Sequence, residues 1–196
     1  MRLFRLSYKG LSSSPDGNDR EILDNFFVDS LIEYLNIVGV DVPKDLSLGK
    51  KPLLIYGAHS KPYFESKELS GIFFSISHTK DFAGIVFAKT EIGFDCENLR
   101  YRSNPVERIR KISARVFAED EKDYCYAIPG KVTERFFEIW TAKEAYSKYT
   151  GKGFTEGFSS FSVIDKIGKT IHTAVFEDIQ IAYAICADET ELNNNE

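Results

Sequence analysis

Ile92-Gly-Phe-Asp95-Cys-Glu97 and Trp140-Thr-Ala-Lys-Glu144-Ala-Tyr-Ser-Lys148 are the stretches on which the fold and the chemistry of this chain turn. The first follows the turn-like Thr90-Glu91 and reads as a short strand. Strand side chains alternate, so Asp95 and Glu97 project from one face and Cys96 points the other way, into packing. The second lies in the strongest helical signal of the chain: residues 133–149 contain no Gly or Pro, Thr133 suits an N-cap, and Gly151 sits where a left-handed C-cap residue belongs. At about 100° per residue, Glu144 shares an inward arc with Phe136, Phe137 and the core residue Trp140. A lone carboxylate there is costly. A hard divalent cation such as Mg2+ reconciles the inward Glu144 with the paired charges of Asp95 and Glu97, because it takes carboxylate, phosphate and water oxygens. Spacing alone leaves another reading open, in which Asp95 and Glu97 end a strand at the solvent and Glu144 pairs with Lys148 one turn on.

Outward from these stretches, Met1 to Tyr8 predicts a strand and Gly10 to Asp19 a loop. A helix is expected from Asp19 to Gly39, on the helical spacing of Phe27, Leu31, Tyr34 and Leu35. Three prolines and two glycines make 40–69 irregular chain with short extended pieces. The runs 71–78, 82–89 and 92–97 predict an antiparallel meander, and 158–164, 171–176 and 179–187 a second one. Helices are expected at 105–117 and 119–128, ended by Pro129-Gly130. This order predicts an α+β protein of two similar halves, 1–103 and 104–196, each a small antiparallel sheet packed on helices.

Composition narrows the function. With 43% hydrophobic and 28% charged residues among 196, the chain can bury a substantial core. Its 25 Lys plus Arg against 30 Asp plus Glu give a net charge of -5, which argues against a general nucleic-acid binder. Any anion site must be local. Three cysteines at wide spacing signal neither a disulfide framework nor a zinc site, and a reducing cytosol is expected. No signal peptide and no membrane-spanning run are expected either. The sharpest charge contrast is Leu99 to Arg115, where Arg100, Arg102, Arg108, Arg110, Lys111 and Arg115 face a single acid, Glu107. It reads as a solvated helix face or as a docking patch for an acidic protein partner.

Ser75-Ile-Ser77-His78 ends a strand, where ligands are commonly held, and Lys61-Pro62 adds a cation in the irregular region. With Phe117-Ala-Glu-Asp-Glu121 and Gly151-Lys-Gly153, these motifs resemble those of the 4'-phosphopantetheinyl transferases in order and spacing, from Lys61 to Val163. The length and the D-x-E form resemble the pseudo-dimeric type that activates surfactin synthetase. The resemblance implies Mg2+-dependent transfer of the 4'-phosphopantetheine arm of coenzyme A to a serine of an acyl or peptidyl carrier protein, with release of adenosine 3',5'-bisphosphate. Asp95, Glu97 and Glu144 match the metal ligands of that family. Glu144 and Lys148 match catalytic positions, and Lys61, Ser77, His78 and Lys148 match residues that hold coenzyme A. Ser60 stands where the family has glycine, and the family's basic stretch before the first long helix is shortened, leaving Arg20, Arg2 or Arg5 as substitutes. The basic cluster is expected to dock the carrier, and a pseudo-dimer that holds both walls of its cleft is expected to be a monomer. A coenzyme A or nucleotide binding protein without transfer activity, and a metal-dependent phosphohydrolase, are the alternatives.

Overall fold

A computed structural model describes residues 1–12, 17–101, 106–153 and 157–193. Strand β1 (Arg2–Ser7) leads to helix α1 (Gly17–Val38), the short helix α2 (Lys44–Ser47) and a hairpin of β2 (Leu54–Tyr56) and β3 (Pro62–Phe64). Then come β4 (Phe73–Thr79), β5 (Phe82–Ala88), β6 (Ile92–Asn98), α3 (Val106–Val116), α4 (Glu119–Tyr126) and α5 (Val132–Thr150). Strands β7 (Ile171–Phe176) and β8 (Ile181–Ala187) and helix α6 (Glu189–Asn193) complete the order. The expected boundary at 103/104 falls outside the described residues. No helix among those described is long and apolar enough to cross a membrane.

Two antiparallel sheets organise the chain, with strand orders β1-β5-β4 and β6-β8-β7. Alternation sorts their side chains. Ile85 and Phe87 of β5 pack with Phe27, Leu31 and Leu35 of α1, whereas Val86 and Ala88 turn to the other face. There they meet Ile92, Phe94 and Cys96 of β6 and Ile185 and Ala187 of β8. The outer face of the second sheet, through Ala182, Ala184 and Cys186, packs on Phe136, Phe137, Ile139, Ala142 and Ala145 of α5. Each sheet therefore lies on its own long helix, as the α+β reading expects. All three cysteines are free and buried.

Three local expectations are corrected. Strand β6 is not the third strand of a meander with β4 and β5: it pairs with β8, from Ile92 opposite Ala187 to Asn98 opposite Ile181. Its link to the first sheet runs through a side chain, since Ser75 Oγ of β4 accepts the Phe94 N–H at 2.9 Å. Residues 158–160 form a 3₁₀ turn in place of a strand, because Phe158 and Phe161 pack on Trp140 and Tyr146 rather than joining a ladder. Thr133 is not the N-cap of α5, which begins at Val132 directly after a 3₁₀ turn over Pro129–Lys131. Gly151 does cap α5, with φ 66°.

One position sets how closely β6 approaches α5. A Cβ on Gly93 would lie 1.9 Å from Ala145 O and 2.6 Å from Tyr149 N, inside the helix backbone. Strand and helix touch there because no side chain intervenes. Gly93→Ala is expected to cost roughly 3 kcal/mol or more, since neither backbone can yield locally. Gly71→Ala, with open space around it, serves as the control. Urea denaturation midpoints check this, and wild-type stability for Gly93→Ala would overturn the close-packing account.

Candidate active site

Because Gly93 lets β6 lie on α5, the outward face of β6 beyond it comes up against the C-terminal half of that helix. Asp95, 7% exposed, receives two hydrogen bonds on Oδ1: Lys148 Nζ at 2.8 Å and Ser77 Oγ at 2.8 Å. Lys148 also donates to Phe94 O at 2.9 Å. Two residues along the strand, Glu97 Oε1 accepts the Trp140 indole N–H at 3.1 Å. Trp140 itself stacks on Phe136, with 6.2 Å between ring centroids. Asp95 and Lys148 thus meet directly, with Ser77 and Trp140 holding the two strand carboxylates in place.

Glu144 differs from its neighbours. It is half-buried, and among the described residues no hydrogen-bond or ion-pair partner meets its carboxylate. Burial pushes its pKa up to about 7, Asp95 and Glu97 push in the same direction, and Lys148 opposes them. For Lys148, burial works to lower the pKa, but Asp95 overcomes it and holds the ammonium above its usual value. The donor chemistry suits a hard dication: Glu144 faces a cavity, with Asp95 and Glu97 near enough to raise its pKa. The three do not converge on one point, and among the described residues no group of three His, Cys, Asp or Glu is arranged as a metal cage. The reason is visible in the contacts, because Asp95 is turned to Lys148 and Ser77 while Glu97 is turned to Trp140.

A cavity opens beside this cluster and adjoins a second one. One of about 280 Å³ is lined by Glu144, Ser147 and Lys148, by the loop residues His59, Ser60 and Lys61, and by Gly151 and Gly153. The other, about 440 Å³, shares Ser60, Pro62, Phe74 and Ile76 with it and extends to Arg20, Tyr56 and His78. His78 Nδ1 is buried and has no hydrogen-bond partner among the described residues. Burial lowers the His78 pKa, Lys148 lowers it further, and Asp19 pulls it back. Of the three arginines considered as substitutes for a basic stretch, Arg20 lines this cavity, whereas Arg5 lies over the Phe176 ring at 4.8 Å. Lys61 lines the smaller cavity with its stem, while its ammonium donates to Glu91 and to Tyr149 O. A larger cavity of about 620 Å³, near α2 and the β2–β3 hairpin, contains none of these groups.

Sequence reasoning left one buried pair unassigned. Lys143 is 0% exposed and donates to both oxygens of Glu121, at 2.8 and 2.7 Å, and to Phe161 O. Glu121 accepts the backbone N–H of Ala118 and of Val163 as well. The signal was present in the helix, since a lysine beside Glu144 on an apolar arc requires a carboxylate partner. That pair clips α4 and the 158–163 segment to α5 and leaves Glu144 as the unpaired acid.

An unpaired carboxylate beside two others works against the fold. Glu144→Gln is expected to raise the ligand-free melting temperature at pH 8 by a few degrees, corresponding to about 1 kcal/mol. Differential scanning calorimetry checks it, and a lower melting temperature would show that Glu144 has a stabilising partner.

A family model for the 4'-phosphopantetheinyl transferase superfamily matches residues 91–192, the part of the chain that supplies β6, α5 and β8. Among curated proteins, the 4'-phosphopantetheinyl transferase psf-1 of Bacillus pumilus is 31% identical over 97 residues, 49% of this chain and 39% of that protein. HetI of Nostoc sp., named as the same kind of transferase, is 32% identical over 104 residues, 52% of this chain and 42% of its own. AcpT of Escherichia coli K12, also so named, is 33% identical over 107 residues, 54% and 52% respectively. The chain spans about half the length of the curated relatives it matches. Since the superfamily model covers more than half of the 196 residues and includes Asp95, Glu97, Glu144 and Lys148, the chain belongs to the 4'-phosphopantetheinyl transferase superfamily.

Proposed function

We propose that this chain transfers the 4'-phosphopantetheine arm of coenzyme A to the serine hydroxyl of an acyl or peptidyl carrier protein domain, releasing adenosine 3',5'-bisphosphate. The supporting observation is the pairing of Asp95 with Lys148 near Glu144, with Glu144 and Lys148 lining a cavity that adjoins a second one. A groove with Glu144 and Lys148 at one end, an apolar wall of Pro62, Phe74 and Ile76, and Arg20 and His78 at the other suits a long ligand with phosphates at separated points. The partnerless His78 Nδ1, with Arg20, is the proposed contact for the 3'-phosphate. Ser77 contributes there only through Asp95, to which its hydroxyl is bonded.

Asp95, Glu97 and Glu144 would hold magnesium, which when bound supplies Lewis-acid polarisation of a pyrophosphate oxygen. The remaining work falls to side chains. Glu144, with a pKa near 7, is suited to accept the proton of the incoming serine hydroxyl. Lys148, kept charged by Asp95, stands beside it to stabilise negative charge gathering on the departing bisphosphate. Both walls of the groove come from one chain, which supports a monomeric enzyme, and three buried free thiols suit a reducing cytosol.

For the carrier, the proposed dock is α3. Its inner face carries the buried Ile109 and Ser113, and its outer face exposes Arg108, Lys111 and Arg115. Arg110 is drawn over the Tyr126 ring at 5.3 Å, and Arg100 donates to Asp178 O, so these two are partly committed. Arg102 lies outside the described residues.

Incubation with coenzyme A, magnesium and an unmodified carrier domain is expected to add the phosphopantetheine arm to the carrier, read by mass spectrometry. Binding without mass gain would favour a coenzyme A binding protein, and cleavage of coenzyme A without mass gain a phosphohydrolase. Reversing Arg108 and Lys111 to glutamate is expected to raise the KM for the carrier about tenfold with little change in that for coenzyme A. Equal effects on both would remove α3 as the dock.

A further inference from the structure

Beside the groove, away from the carboxylates, a second polar cluster ties together segments distant in sequence. Lys61 Nζ, on a side chain 8% exposed, donates to Glu91 Oε2 at 2.5 Å and to Tyr149 O at 2.9 Å. The other oxygen of Glu91 accepts the Tyr63 hydroxyl at 3.2 Å. Tyr149 in turn donates its hydroxyl to Asp188 Oδ1 at 2.6 Å. Segment 57–63, the β5–β6 turn, the last turn of α5 and the chain after β8 thus meet around one ammonium. The position is favourable for a cation, because the exposed carbonyls of a helix C-terminus carry partial negative charge.

The loop that presents Lys61 is held in a shape that it would not keep alone. His59 and Ser60 both have left-handed φ, at 57° and 66°. The turn is closed by Gly57 N–H donating to Lys61 O at 2.9 Å. Such backbone persists where its surroundings over-determine it. Here they do so on the groove side: a Cβ on Gly151 would lie 3.3 Å from Lys61 Cδ, and one on Gly153 would lie 3.3 Å from His59 Cβ. The loop rests directly on the chain that follows α5.

We propose that Lys61 is a positioning residue, a brace that joins the 57–61 loop to the C-terminal turn of α5 through Glu91. Its stem forms part of the groove wall while its charge is spent inside the protein. The brace fixes the width of the smaller cavity and the place of Lys148, the residue before Tyr149 on α5. Glu91, which no motif singled out, is then as much a part of the site as Lys61. The inference rests on the transferase reading only for the ligand used in part of its test.

The ligand-free test is hydrogen exchange in the full chain. Lys61→Met and Glu91→Gln are each expected to speed amide exchange in 57–61 and in 149–153 together. Unchanged exchange in 149–153 would overturn the brace whether or not the protein binds coenzyme A. The second test is coenzyme A affinity by titration calorimetry and KM. Each single variant is expected to weaken binding about fivefold, and the double variant no more than either single. If Lys61 instead gripped a phosphate, freeing it with Glu91→Gln would leave affinity unchanged or tighter, and that result would overturn the proposal. A wild-type chain that binds no coenzyme A but shows the coupled exchange would overturn the transferase reading and support the brace.

Discussion

The contact on which the rest depends is the one at Gly93, where a strand and a helix meet backbone to backbone. It sets the height of β6 beneath α5, and so decides that Asp95 and Glu97 sit under the helix turns that carry Glu144 and Lys148. Three carboxylates against one ammonium would spread apart in isolation, because like charges in a partly buried pocket repel strongly. What holds them is apolar: Ile139, Ala142 and Ala145 of α5 pack against Ala182, Ala184 and Cys186 of β8, to which β6 is hydrogen-bonded along its length. The core thus offsets an electrostatic cost concentrated at the site.

Helix α5 treats two neighbouring ionisable residues in opposite ways. Lys143 is fully buried and fully paired, with Glu121 gripping it and backbone groups filling the remaining valences of that carboxylate. Glu144, one position on and about 100° round the helix, has no hydrogen-bond partner among the described residues and a raised pKa. The first arrangement makes a rigid clip. The second leaves an acid with a raised pKa facing a cavity, the setting in which perturbed acids are found at functional sites. Adjacent residues of one motif are divided between holding the scaffold and exposing the chemistry.

Much of the site was legible because it depends on local periodicity. A strand repeats every two residues, so Asp95 and Glu97 had to share a face, and a helix places Glu144 and Lys148 one turn apart. Long-range choices were hidden. The two-residue link Thr90-Glu91 predicts a hairpin between β5 and β6, yet β6 finds more pairing with β8, because its other neighbour offers a serine hydroxyl in place of a ladder. Alternation in 158–164 imitates a strand, but its aromatic rings are spaced to pack under α5 around the Lys143–Glu121 clip. Nothing local marks Glu91 as the partner of Lys61, since the two are 30 residues apart.

The pairing of Ile92 with Ala187 also dictates an order of events during synthesis. The acidic strand is made before its hydrogen-bonding partner β8, and the helix that roofs it comes between. Until the closing strand arrives, β6 is an unpaired edge and the three carboxylates have no fixed relation to one another. A nascent chain that has not yet added β8 therefore carries Asp95, Glu97, Glu144 and Lys148 without the ladder that fixes β6 beneath α5.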